Sequence, residues 1–241
     1  MLLSQVNRAR AIRTAVMVAT ACTPSGTNSA VAESASVGAR RTATSTAVAA
    51  SQDSNITSAD LARTDGSATA PVWVIVASDF QCPYCKQWHD ETFPALHNEF
   101  VRTGKVRVAY VNYPLASHPL AWPSAEAAMC AGAQGKFWLM HDAIFDTQAK
   151  WAASSTPAAV FDSLARASGV EMRRWSECIA SGTTKPLIQA DQQRAAGAGV
   201  RSTPSILIGD EMLAGAHPIE SLRRAIDSAL VKTRRRDTTR E

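Results

Sequence analysis

The chain has 241 residues, of which 46% are hydrophobic and 19% charged, enough for one sizeable core or for a domain carrying an insertion. The net charge is +4, and much of the excess sits at the ends, in Arg8, Arg10 and Arg13 and again in Lys232, Arg234, Arg235 and Arg236. The last group reads as a solvated helix end, because Lys and Arg complement a helix C-terminus, and this argues against nucleic acid as a partner.

Residues 1–22 read as a short export signal. Three arginines precede an apolar run, Ala15 to Ala21, that is far too short to span a bilayer. The run ends in Ala19-Thr20-Ala21-Cys22, which resembles a bacterial lipobox, although Ala19 stands where Leu is usual. Two readings stand: cleavage before Cys22 with lipidation of its thiol, or an ordinary signal with an incidental cysteine. A lipidated Cys22 would anchor the protein to the outer face of a membrane without spanning it. Residues 23–69 are rich in Ala, Ser and Thr and hold no apolar period. Such a stretch cannot bury enough surface to offset its ordering entropy, so it is expected to be a disordered tether.

The β-branched run at residues 71–77 is the first predicted strand. It leads into Ser78-Asp79-Phe80-Gln81-Cys82-Pro83-Tyr84-Cys85 and then into an amphipathic pattern through about Arg102, which Pro94 should kink or divide. Cys82 falls at the N-cap of this helix and Pro83 at its first position, where a missing N–H costs nothing. The free N–H groups and the positive dipole end then favour a Cys82 thiolate. Cys85 lies one turn on, within disulfide reach and better shielded. A strand–CxxC–helix unit is therefore a redox arrangement, with an exposed nucleophilic cysteine and a buried resolving one.

Val106, Val108, Tyr110 and Val111 make a second strand, which a strand–helix–strand order places parallel to the first. From about residue 119 to 183 the apolar spacing is helical, and these residues read as an inserted helical domain. A longer helix follows near residues 185–198. Ser205–Ile208 and Glu211–Ala214 then form a hairpin across Gly209-Asp210, and a last helix after Pro218 runs into a basic tail at residues 233–241.

Five cysteines are present. Cys22 stands alone and Cys82 faces Cys85. Cys130 and Cys178 lie on apolar helical faces of the insert, where two buried free thiols are one reading. An exported protein argues for a structural disulfide instead, and a loop of 48 residues would contribute about 4 kcal/mol of chain entropy. Asp79, three residues before Cys82, reads either as a turn residue or as a group acting on the thiols. A zinc site from Cys82, Cys85 and His89 wants a fourth ligand that no close cluster supplies, so no metal and no cofactor are expected.

In this order the pieces resemble the DsbA-like thioredoxin-fold disulfide oxidoreductases over roughly residues 71–231. The matching residues are Ser78 through Cys85, then Gln134-Gly135-Lys136-Phe137-Trp138 with Met140-His141-Asp142, and then Gly199-Val200 with Ser202-Thr203-Pro204-Ser205. The resemblance implies an α/β thioredoxin-like fold with an inserted α-helical domain, spanning residues 70–232. It implies a cis Thr203–Pro204 bond packed beside the cysteine pair, with Thr203 offering its backbone to a bound peptide. Pro83, Tyr84, Thr203, Pro204 and Asp79 would support catalysis by Cys82 and Cys85. The partners so implied are unfolded or partly folded exported proteins bearing thiols, and a membrane redox partner that recycles the pair. Reductase, isomerase, peptide-binding chaperone and metal-thiolate carrier are the alternatives the same residues allow.

Overall fold

Apolar, β-branched residues fill Val72–Ser78, and the strand they form is the middle one of the molecule's single described sheet. The computed structural model describes Ser54 and residues 56–238. The expected signal, the Cys22 lipidation site, the tether up to residue 53 and the last three residues of the basic tail lie outside the described residues.

In chain order, helix α1 (residues 56–62) leads to β1 (Thr64–Asp65), β2 (Val72–Ser78), α2 (Pro83–Glu91), α3 (Phe93–Leu96), a π-helical turn (His97–Val101) and β3 (Val106–Asn112). Helices α4 (Ala121–Gly132), α5 (Phe137–Asp146), α6 (Gln148–Ala152), α7 (Pro157–Ala167), α8 (Met172–Ser181) and α9 (Lys185–Gly197) follow. The chain closes with β4 (Ser205–Ile208), β5 (Glu211–Ala214) and α10 (Ile219–Thr238). The sheet order is β1-β3-β2-β4-β5. β2 and β3 are parallel, with Val72 opposite Val106 and Ser78 opposite Asn112; the other three pairings are antiparallel. This is a thioredoxin-like sheet with a helical insertion between β3 and β4, as the motif order implied.

The period-2 pattern decides what each face buries. Val72, Val74 and Val76 pack with Val106, Val108, Ile206 and Ile208 beneath Trp88, Leu96, Phe100, Leu222 and Ile226 of the helices. On the other face Ala77 and Val111 meet Ala195 of α9 and Val200. Pro94 divides the helix as expected: α2 ends at Glu91, Thr92 donates its N–H to the Trp88 carbonyl, and Pro94 sits in the first turn of α3, where its missing donor is harmless. Gly135, in the left-handed region at φ 71°, makes the turn from α4 into α5.

The insert has its own core, which includes Met129, Phe137, Met140, Ile144, Phe145, Trp151 and Trp175. Cys130 on α4 and Cys178 on α8 are joined by a disulfide, with a Cα–Cα distance of 5.8 Å. The pairing agrees with the compartment argument.

Two boundaries differ from the sequence reading. The tether does not extend to residue 69. Residues 56–65 form α1 and the edge strand β1, whose Thr64 and Asp65 pair with Ala109 and Val108. Their composition is polar, but one residue compensates. Buried Arg63 pairs with Asp60 and with fully buried Asp191 of α9, and donates to the Tyr110 carbonyl at 3.1 Å. Asp191 also accepts from the backbone N–H and side-chain amide of Asn112, at 3.1 and 3.0 Å. The basic tail does not begin at residue 233 either, since α10 continues to Thr238. Among the described residues no helix is long and apolar enough to cross a membrane.

Removing one partner of a buried ion pair leaves the other charge uncompensated, at a cost of about 3–5 kcal/mol. Arg63→Met should therefore lower unfolding free energy by about that amount in urea titrations, and Asp191→Leu placed on top of it should restore much of the loss. A cost of Arg63→Met below about 1 kcal/mol would contradict this anchoring role.

Candidate active site

The turn between β2 and α2 is built by Asp79. Its backbone carbonyl accepts from the Cys82 N–H at 3.1 Å, and its carboxylate accepts from the Gln81 N–H at 2.8 Å, an Asx turn. The other carboxylate oxygen reaches the β3–α4 loop, accepting from the Leu115 N–H at 3.0 Å and lying 2.7 Å from His118 Nδ1. Gln81 ties the same loop by accepting from the Leu120 N–H at 2.6 Å. Asp79 is thus a buried structural hub for the turn. The turn reading of this residue holds, and its partner His118 carries more of the site than its sequence position indicated.

Cys82 is the N-cap of α2, with Pro83 in the first turn and no acidic residue there to offset the helix dipole. No side-chain oxygen caps the helix; the Cys82 sulfur stands in that place. The Cys82 carbonyl accepts from the N–H groups of Cys85 and Lys86, both at 3.1 Å, which starts the helical ladder. Gln148 of α6 clamps the turn from the insert side, donating to the carbonyls of Phe80 at 2.7 Å and Cys82 at 3.1 Å. Nothing in the sequence pointed to Gln148, because the contact joins residues 66 positions apart across two elements.

On the opposite side the Thr203–Pro204 bond is cis, as the resemblance implied. The Thr203 carbonyl accepts from the Cys82 thiol at 3.4 Å. The loop is held by Gly215, which donates its N–H to the Pro204 carbonyl at 2.7 Å, and by the Ser205 hydroxyl on the Ser202 carbonyl, also at 2.7 Å.

Cys82 and Cys85 are both free thiols, and both are buried, exposing 4% and 1% of their surface. Cys82 is therefore not the exposed nucleophile that its N-cap position suggests: its thiol lies against the Thr203 carbonyl of the cis-proline loop, and Gln148 holds its backbone carbonyl. The open surface beside it belongs to Pro83 and to Tyr84, which is 63% exposed.

The two thiols differ electrically. Hydrogen bonding from the Cys85 thiol lowers the Cys82 pKa to about 6, against the opposing effect of burial. The backbone N–H groups of Cys85 and Tyr84 add to the lowering. Cys85 goes the other way. Burial raises it well above the ordinary thiol value, and the Cys82 hydrogen bond and charge raise it further, while Ser78 and the Asp79 N–H, 3.4 Å from its sulfur, pull weakly back.

His89 lies four residues beyond Cys85 on α2. It is half-buried, packed on Phe93 and Phe145 and facing Asp90 and Asp142. The cysteines are not close to it in any metal grouping among the described residues.

Alkylation of the reduced chain should follow a single thiolate with a midpoint near pH 6, assigned to Cys82 by mass spectrometry, with Cys85 unmodified. The folded-state value lies below the unfolded one. This group therefore stabilises the folded reduced chain fully above the unfolded thiol pKa, and that contribution is lost as the pH falls through about 6. A midpoint at the ordinary thiol value of about 8.5 would contradict the assignment.

The family model described as Thioredoxin matches residues 57–228. The chain is 33% identical over 172 residues to Na(+)/H(+) antiporter NhaA 1 of Salinispora arenicola, covering 71% of this chain but a quarter, 25%, of that protein. It is 27% identical over 173 residues to the probable disulfide bond formation protein D of Bacillus anthracis, covering 69% of this chain and 77% of that one. Among solved structures, Wolbachia pipientis α-DsbA1 superposes with a TM-score of 0.63 at 19% identity, over 71% of this chain and 92% of that one. With the strand–CxxC–helix unit, the cis-proline loop and the helical insert all in place, the chain belongs to the thioredoxin family and shares the fold of the DsbA structures.

Proposed function

We propose that this chain is an exported protein thiol–disulfide oxidoreductase that introduces disulfides into secreted proteins through Cys82 and Cys85. The observation that carries the reading is the split between the two thiols, one lowered at a helix start and the other raised by burial behind it. The relatives named for disulfide bond formation support the same class of reaction.

The reaction follows from the split. A substrate thiolate attacks Cys82 Sγ of the Cys82–Cys85 disulfide. The bond breaks, its electron pair goes to Cys85, and the high affinity of that thiol for a proton makes it neutral. The substrate's second thiolate then attacks its own sulfur in the mixed disulfide and expels Cys82. A leaving thiol of low pKa departs fast, and stabilising its thiolate also stabilises the reduced enzyme, which makes the disulfide more oxidising. The substrate loses two electrons and the pair gains them, so an external oxidant must restore the disulfide. A membrane redox partner fits that need.

The remaining residues have supporting roles. Thr203, before the cis Pro204, presents a carbonyl that a bound peptide could pair with by strand addition. Tyr84 and Pro83 form the exposed contact face. Asp79 holds the turn. Cys130 and Cys178 cross-link the insert and exchange no electrons. The export signal, the lipid anchor on Cys22 and the extracytoplasmic location belong to this reading as well, and the relatives' role in disulfide formation is consistent with it.

Two variants of the full chain test the assignment. Cys82→Ala should reduce oxidation of a dithiol peptide to the uncatalysed rate. Cys85→Ala should leave Cys82 as a nucleophile that attacks a disulfide already present in a substrate protein, expels one substrate thiolate and accumulates as a mixed disulfide, visible on a non-reducing gel, because no second thiol releases it. Undiminished oxidation by Cys82→Ala would contradict the reading.

A further inference from the structure

The helix that carries the cysteine pair meets the insert at a group of nitrogen and oxygen donors that the redox reaction does not use. His89 of α2 places Nε2 3.3 Å from Oδ1 of Asp142 on α5. His141 of α5 places Nδ1 2.8 Å from the same oxygen. The donor atoms of His89, His141 and Asp142 all lie within 4.8 Å of one another. We propose that these three residues form a binding site for a divalent late transition ion, with Zn(II) the best match, that pins the CxxC helix to the helical insert.

The donor set selects the ion. Two imidazoles and one carboxylate suit Zn(II) and its neighbours, whereas calcium and magnesium take oxygen ligands. A tetrahedral ion with bonds of about 2.0–2.1 Å holds its ligand atoms roughly 3.3 Å apart. The two spacings to Asp142 Oδ1, 3.3 and 2.8 Å, bracket values near that, and all three donor atoms lie within 4.8 Å of one another.

The site is also built. His141 is only 3% exposed, and its ring is fixed by edge contacts with Phe80, Tyr110, Trp138 and Phe145 at centroid distances of 5.0–5.7 Å. His89 stacks on Phe145 at 4.9 Å. Both imidazoles are thus oriented before any ion arrives. Asp142 is 52% exposed, which leaves a path and an open position for water or a further ligand. Asp90 and Asp146 form a second group around His89, also within 4.8 Å, and add negative charge to that side. The sequence reading paired His89 with the two cysteines and found no fourth ligand; the fold supplies its partners from 53 residues away instead.

The test is a calorimetric Zn(II) titration of the full chain, with Cys82 and Cys85 oxidised to their disulfide and any other thiol alkylated, so that no thiolate competes. One saturable equivalent is expected, together with a rise in melting temperature on adding the ion. Asp142→Asn and His89→Gln should each weaken binding at least 10-fold. The exposure of Asp142 allows its variant to keep the fold, which matching far-UV spectra and metal-free melting temperatures would establish. Absence of saturable binding would overturn the proposal and leave Asp142 as a plain bridge between two imidazoles. Unchanged affinity in both variants would overturn it too, by moving the ion elsewhere.

Discussion

A sulfur atom stands where a helix-capping oxygen would ordinarily stand, and the rest of the molecule holds it there. The cap position gives Cys82 the unpaired N–H groups and the dipole end of α2, and the Cys85 thiol one turn on supplies a further hydrogen bond. The Thr203 carbonyl accepts from the protonated thiol at 3.4 Å and favours the neutral form. The thiolate side wins, because the Cys85 hydrogen bond and the backbone amides act together against burial.

That arrangement depends on parts of the chain far apart in sequence. β2 lies in the middle of the sheet, so the turn at its end is flanked by the β3–α4 loop on one side and the cis-proline loop on the other. Asp79 and Gln81 bind the first of these, and the Cys82 thiol itself meets the second. The cysteines pack into the insert's core with Phe80, Tyr110 and Phe145, not into the core formed by β2 and α10. Phe80 stacks on Tyr110 at 5.0 Å and meets Phe145 at 4.9 Å, so the residue two places before Cys82 is packed by the insert and the sheet together. The insert is therefore part of the active-site wall, and its α4–α8 disulfide lies in the same core as the cysteine pair.

The fold was legible because its signals are local. A β-branched strand running into Cys82-Pro83-Tyr84-Cys85, helical spacing through the insert, and Thr203-Pro204 before a hairpin are each set by neighbouring residues, and each appears in place. What escaped the sequence is non-local. Arg63 looks like one more polar residue of a flexible segment until Asp191, 128 positions on, gives it a buried partner. Gln148 and His118 are ordinary residues whose roles exist only when their elements converge on the turn. The burial of Cys82 was missed for the same reason, since the covering loop comes from residues 121 positions later. Periodicity reports which face of an element is buried; it does not report which element arrives to bury it.

On the proposed reading, the environment of Cys82 makes the Cys82–Cys85 disulfide a donor of oxidising equivalents. The reduction potential of that pair, measured by equilibrating the chain in glutathione buffers, tests it most directly. The expected value lies between about −120 and −180 mV, in the range of oxidants and isomerases that hand on a disulfide. A value near about −270 mV would place the pair with thioredoxin-like reductants and contradict the direction of the reaction while leaving the fold as it stands.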